Sequence, residues 1–426
     1  MKTQTALLAG AAAGALAALS LAGAAQAQET TTAWKGAPQW TNDDVQFKVR
    51  GRILLDYVYQ DVNREGALAD YKTSNARGRQ VFLGVEGKLN SYLAYKAEGG
   101  AVNGGAWAWD DVVIEFKPND MTSIMAGNIK AAGLENLTST RFISFLDRGP
   151  YGDIATDSYL LSLVGKVNGL NWTLTGQVAG NSLNSSDVNN TATGNPGSSE
   201  RVGWTVRGSY APVLTDSDKV HLAAWARRRN HGDESAFNYA GRPNTAYGDA
   251  GRYFQTGAIG DKDTTFAAEA AWVHNNFSVQ GEFAQIQVDR LRTVAGGGSD
   301  PKVNVGYAFV SWWPTGEQRN YEATKGEFSR PKILNPITAG GFGGVELLAR
   351  YDYADLTDAY DTAATAAGRT LSQDAGKYEG VTLGANYYPT AYVRLQANYT
   401  RAKVDNPALG RDIDLDQFQL RAQLDF

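Results

Sequence analysis

The dominant pattern in this chain is an alternation of apolar and polar residues with a period of two. At the C-terminus, Phe418-Gln419-Leu420-Arg421-Ala422-Gln423-Leu424-Asp425-Phe426 alternates without a fault and ends on an aromatic ring. An extended strand with that period has one apolar and one polar face. Val393, Leu395, Ala397 and Tyr399 likewise oppose Arg394, Gln396, Asn398 and Thr400, and Val345, Leu347, Ala349 and Tyr351 oppose Glu346, Leu348, Arg350 and Asp352. Near the start, Val45, Phe47, Val49, Ile53 and Leu55 oppose Gln46, Lys48, Arg50 and Arg52.

Sixteen such segments can be read: 45–60, 77–89, 91–99, 106–117, 121–129, 158–167, 169–180, 201–212, 218–229, 265–274, 276–289, 302–313, 344–356, 376–388, 391–403 and 414–426. Their connections alternate in length. Short turns such as Asn90, Asn168, Asn275 and Pro389-Thr390 follow even segments; longer stretches, 61–75, 130–157, 181–200, 230–264, 290–301 and 357–375, follow odd ones. An even strand count with short turns on one side and long loops on the other predicts an all-β fold, a 16-stranded antiparallel transmembrane β-barrel with an inward-folded constriction loop. One connection breaks the parity. Residues 314–343 follow an even segment, so either a pair of strands is hidden there or the stretch folds into the pore.

Composition supports the pattern. Mean hydropathy is -0.36, which alone reads as soluble. Yet aromatics make up 11% of the chain, with 21 Tyr and 10 Trp, and there are 47 Gly. That mixture suits aromatic girdles and tight turns in a barrel whose hydropathy per strand is weak by construction. There is no Cys, so an exported chain must hold itself by backbone pairing and packing.

The N-terminus reads as a signal peptide, residues 1–27: Met1-Lys2, an apolar Ala/Leu/Gly run, then Ala25-Gln26-Ala27 as the cleavage site. Residues 28–44 follow as a periplasmic segment and 45–426 as the barrel. A net charge of -5 disfavours nucleic acid as a partner, and the barrel reading makes the lipid bilayer the expected surroundings.

The third long loop, 130–157, carries the candidate chemistry. It holds Lys130, Arg141 and Arg148 against Glu135, Asp147 and Asp153, and Thr138-Ser139-Thr140 lies directly before Arg141. Hydroxyls beside a guanidinium form a ligand set for an oxyanion. Polar strand faces add Lys48, Arg50, Arg52, Arg79, Arg207, Arg227, Arg229, Arg350, Arg394 and Arg421. These either present positive charge to the lumen or pair with Asp56, Glu346 and Asp352 and neutralise the wall.

Gly127-Asn128-Ile129-Lys130-Ala131-Ala132-Gly133-Leu134-Glu135-Asn136-Leu137-Thr138-Ser139-Thr140-Arg141, continued to Arg148, resembles the constriction-loop signature of the phosphate-selective porins O and P. Thr315-Gly316-Glu317, Glu346 to Asp352 and Leu383 to Lys403 agree with it, and the similarity runs from about residue 45 to Phe426. The resemblance implies a trimeric channel in the outer membrane of a Gram-negative bacterium, among lipopolysaccharide, passing small anions such as phosphate or pyrophosphate without a cofactor. It makes Arg141 a basic constriction residue flanked by Ser139 and Thr140, Asp110 an acidic offset, and Arg242 and Arg252 rungs of a fifth-loop arginine path. It also implies a periplasmic segment folded into the channel. Asn136 and Ala94 stand where further basic residues are expected, and Ala240 and Asn244 where further arginines are, so binding should be weaker than in a tight phosphate site.

Two other classes compete. An enzyme would need a nucleophile with a spaced base, but there is no Cys, and His221, His231 and His274 have no such partner in sequence. No spacing of His, Asp and Glu marks a metal site, and Gly340-Gly341-Phe342-Gly343-Gly344 precedes no helix. A secreted adhesin or binding protein would fold as a sandwich, against the terminal Phe426 and the loop asymmetry. A general, weakly selective porin is the nearer alternative.

Overall fold

The computed structural model describes residues 31–34, 36–42, 44–65, 69–185, 199–244, 254–290, 299–360, 375–406 and 412–426. The signal-peptide reading and Arg252 lie outside the described residues.

The wall has sixteen strands: β1 (Val45–Arg64), β2 (Tyr71–Lys88), β3 (Leu93–Val102), β4 (Ala106–Asn119), β5 (Thr122–Ile129), β6 (Leu160–Asn168), β7 (Trp172–Ala179), β8 (Val202–Leu214), β9 (Asp218–Asn230), β10 (Phe254–His274), β11 (Phe277–Arg290), β12 (Lys302–Trp312), β13 (Gly344–Asp355), β14 (Lys377–Thr390), β15 (Val393–Asp405) and β16 (Ile413–Asp425). Each pairs antiparallel with the next. β16 pairs back onto β1, from Ile413↔Arg64 to Asp425↔Arg52, and the sheet closes. Closure leaves no unpaired edge for lipid to meet.

The alternation sorts side chains as the sequence predicts. On β16, Phe418, Leu420 and Leu424 are exposed on the outside, while Gln417, Gln419, Arg421, Gln423 and Asp425 are buried inside. Leu83, Ile114 and Leu163 are each 60% exposed or more. In water each would forgo roughly 1.5–3 kcal/mol of burial, so the apolar belt belongs in hydrocarbon. Outward Trp172, Trp272 and Trp312 sit at the short-turn ends, and Tyr57, Tyr59, Trp204, Tyr351 and Tyr399 lie toward the long-loop ends.

Strand edges differ from the pattern where the barrel rises beyond the apolar belt. β10 begins at Phe254 because its first residues pair with a short strand, Phe237–Gly241, inside the stretch read as loop 230–264. β2 begins at Tyr71, which shortens the loop read as 61–75. β3 and β4 are joined by a tight turn, Asn103-Gly104-Gly105, all three at positive φ, which glycine adopts freely.

Both readings of 314–343 hold in part. The stretch contains a small hairpin, Asn320–Glu322 with Glu327–Ser329, that is separate from the wall. The hairpin lies inside the lumen, where Tyr321 and Phe328 pack with Leu134 and with inward-facing Ala211, Ala271 and Val273.

Candidate functional site

A loop crossing a lumen has no ladder for its backbone carbonyls, so other donors must satisfy them. In 130–157 the wall supplies these donors. Arg394 donates to Ile143 O at 2.7 Å, Asn386 to Ser144 O at 2.8 Å, Arg421 to Leu146 O at 2.5 Å, Arg350 to Arg148 O at 2.7 Å and Gln423 to Arg141 O at 3.0 Å. Two short helices punctuate the loop, α1 (Leu134–Leu137) and α2 (Gly149–Ile154). Glu282 on β11 accepts from Leu134 N at 2.9 Å and Glu135 N at 2.7 Å, filling two of the open donors of α1. The second half of the loop is held by apolar packing: Phe145, Tyr151 and Ile154 bury against Trp225, Ile286, Tyr307 and Phe309. That side of the lumen is filled.

Three inward arginines therefore do not offer free charge. Arg421 makes a two-pronged bond to Asp56, both at 2.7 Å, and Arg350 pairs with Asp352 at 2.8 Å and Glu135 at 2.6 Å. Arg394 has no carboxylate partner among the described residues, but it is buried behind the loop and bonded to Ile143 O, Tyr388 Oη and Gln423 Oε1. For Arg350 and Arg421 the neutralising reading is the correct one.

The side facing β1 to β4 is different. Its inward charges are partly exposed: Lys48, Arg50, Glu86, Lys96, Asp110 and Asp111. Glu98 on β3 is at the centre, with a fully buried carboxylate. Arg50 Nε reaches it at 2.7 Å, Arg52 Nη1 at 2.6 Å and, from the loop, Arg141 Nη2 at 2.8 Å. Arg52 also pairs with Asp110, bonds Gln80 at 2.8 Å and stacks on Phe82 at 4.3 Å. The register between β3 and β4 slips from Ala97↔Val112 to Gly99↔Trp109, so Glu98 faces Asp110 and Asp111 together. A bulge of this kind re-aims a side chain, here a second carboxylate, into the lumen. Period-two counting places Glu98 inward but gives no sign that three guanidinium groups converge on it.

Lys130 and Arg148 have no carboxylate within ion-pair distance among the described residues. Lys130 Nζ donates to Asn136 O at 3.3 Å and sits 4.5 Å over the Tyr159 ring. Burial, and then the neighbouring Arg148, push its ammonium down to about 7. Arg148 donates to Glu135 O at 2.9 Å, Thr138 O at 2.8 Å and Thr140 Oγ1 at 3.3 Å. The hydroxyl run is divided. Thr138 Oγ1 donates back to Leu134 O at 2.8 Å and is spent, while Ser139 and Thr140 remain half-buried beside Arg141 and Arg148.

Comparison with known proteins decides the family. The family model described as phosphate-selective porin O and P matches residues 47–426. The chain belongs to the phosphate-selective porin O and P family. The chain is 25% identical to Porin O of Pseudomonas aeruginosa over 421 residues, covering 91% of this chain and 90% of that one. An uncharacterized protein of Caulobacter vibrioides is 27% identical over 334 residues, 77% of this chain, and the match spans only 65% of that longer protein. Among solved structures, the outer membrane channel DcaP of Acinetobacter baumannii aligns with a TM-score of 0.53 at 12% identity, over 90% of this chain and 98% of that one. An anion-selective porin from Comamonas acidovorans aligns at 0.50 and 14%, over 89% and 100%. At such identities the likeness speaks for the fold.

This porin is therefore a channel of the Gram-negative outer membrane. Its remaining sequence-picked residues lie apart from the Glu98 cluster. Arg79 falls at a break in the β1–β2 register and reaches Asp147 at 3.5 Å and Asn103 at 3.3 Å. Arg242 binds Asp153 through Nε at 2.9 Å. Where the family resemblance leads one to expect basic groups, this porin has structural ones. Asn136 donates to Ala132 O and Asp157 O, and Asn244, at φ 47, donates to Asp352 and Thr382.

Proposed function

We propose that this porin passes small anions, with phosphate and pyrophosphate as the chemical class, by passive diffusion between loop 130–157 and the β1–β4 wall, and that it works as a homotrimer after removal of residues 1–27. One observation carries the reading. Arg141 brings a third guanidinium to the single carboxylate of Glu98, and Lys130 and Arg148 add charge with no carboxylate within ion-pair distance among the described residues. Positive charge in a narrow, low-dielectric passage raises the local concentration of anions. Ser139 and Thr140 add hydroxyls at the same place. The phosphate selectivity for which the matching family is named and the anion selectivity of the Comamonas porin support the same sign of charge.

Affinity should be low. Glu86, Asp110 and Asp111 share the passage with the cations, and they also favour a general, weakly anion-preferring porin as the second reading. Titrating inorganic phosphate into the chloride current across a planar bilayer separates the two. Partial block at millimolar phosphate supports the phosphate class; no block at any concentration leaves the general porin.

A further inference from the structure

Away from the Glu98 cluster, β9 presents Arg227 and Arg229 inward, two residues apart and so on one face of the strand. Asp157, at the end of the lumen loop, bridges them. Its Oδ2 accepts from Arg227 Nη1 at 2.7 Å and its Oδ1 from Arg229 Nη1 at 2.7 Å. One oxygen to each guanidinium is also the way two phosphate oxygens are held, because carboxylate and phosphate offer arginine the same spacing of acceptors. Two small cavities adjoin this bridge, and Gln177, Thr205 and Arg227 line both, with Arg201 at the edge of one and Asn136 at the edge of the other.

The two arginines are not equally supplied. Arg229 also holds Asp263, at 3.1 Å through Nε, whereas among the described residues Arg227 has only the Thr265 hydroxyl, at 3.1 Å, as a hydrogen-bond acceptor besides Asp157. Arg227 is buried and its Nε has no hydrogen-bond partner among the described residues. A buried guanidinium that lines both cavities and carries an unused donor has capacity for a further acceptor. Asp157 itself is fixed from behind, since Asn136 Nδ2 donates to its backbone carbonyl at 2.9 Å.

We infer that the Arg227–Arg229 pair is a second anion-binding site, lateral to the passage, for an inorganic oxyanion of the phosphate class, and that Asp157 is the loop's own carboxylate held there as an internal competitor. The inference rests on the anion reading for its ligand, but its test is separate. Wild-type zero-current potential reports the anion reading alone; phosphate binding to an Asp157 variant reports this site.

The experiment measures phosphate-dependent thermal stabilisation of the folded, full-length porin in detergent, with chloride at equal ionic strength as the control. Wild type should respond weakly. Asp157→Ala should bind phosphate about tenfold more tightly, the worth of one freed charge-assisted pair, and Asp157→Ala combined with Arg227→Gln should return to the weak response. Asp157→Asn keeps the shape without the charge and should move in the same direction by less, so it serves if Asp157→Ala does not reach the heat-modifiable folded form. A response in both single variants equal to wild type, or an increase that survives loss of Arg227, overturns the proposal.

Discussion

Phe426 and Gly51 exchange two backbone hydrogen bonds, Gly51 N to Phe426 O at 2.9 Å and Phe426 N to Gly51 O at 3.0 Å. The last residue of the chain is thus stitched to the first strand, and it continues the β16–β1 register that seals the cylinder. Its ring lies on Gly51: a Cβ there would come within 2.6 Å of the ring and 2.9 Å of Phe82 O. Gly51→Val should therefore push the terminal aromatic off its seat, at a cost of about 1–3 kcal/mol for overpacking. The expected outcome is a smaller fraction of unboiled protein in the heat-modifiable folded form on detergent gels. Unchanged heat-modifiability would show that the seal does not depend on this contact.

Glu98→Gln removes one negative charge from beneath three guanidinium groups without changing the shape of the site. Anion preference should rise, read as a larger zero-current potential in a potassium chloride gradient. A fall would mean that Glu98 acts chiefly by holding Arg141 in place.

Arg141 and Arg394 differ in what surrounds them. Both are buried, but Arg141 pairs with Glu98 at 2.8 Å next to the partly exposed charges of β1 to β4, whereas Arg394 is bonded to Ile143 O, Tyr388 Oη and Gln423 Oε1. Arg141→Ala should lower the chloride-to-potassium permeability ratio more than Arg394→Ala does. Arg394→Ala should lower the melting temperature more, since a buried carbonyl left without a donor costs about 1–3 kcal/mol. Equal effects on both readouts would place the filter elsewhere.

Lys130 gives a pH dependence whose sign is fixed. Its ammonium, pushed down to about 7 by burial and by Arg148, is charged below that pH and neutral above it. Arg148, Asp110, Asp111 and Arg52 are the charges around it. Anion preference should decline between pH 6 and pH 8.5, on the order of a half-charge scale around neutrality. Lys130→Met should give a flat profile at the wild-type high-pH value. A wild-type profile that is flat over the same range would show that Lys130 stays charged.

Most of the wall was legible in the sequence because lipid outside and polar lumen inside impose period two on every strand. The bulges were not. One extra residue at Arg79 or at Asp110-Asp111 leaves the alternation on either side intact and only shifts its phase, so a pattern count passes over it. The inward arginines were visible, but not their use. Whether Arg350 and Arg421 meet anions in water or carbonyls of Arg148 and Leu146 depends on contacts more than 200 residues apart in the chain, 202 for the first and 275 for the second. Arg141 stands in a motif, whereas its partner Glu98 stands in none and is marked only by the geometry around it.

The anion-conducting reading is tested most directly by the zero-current potential of the reconstituted wild-type porin in a tenfold potassium chloride gradient. A potential with the sign of chloride permeating faster than potassium is expected, and it should shrink in Arg141→Ala. A potential with the sign of potassium permeating faster would contradict the account.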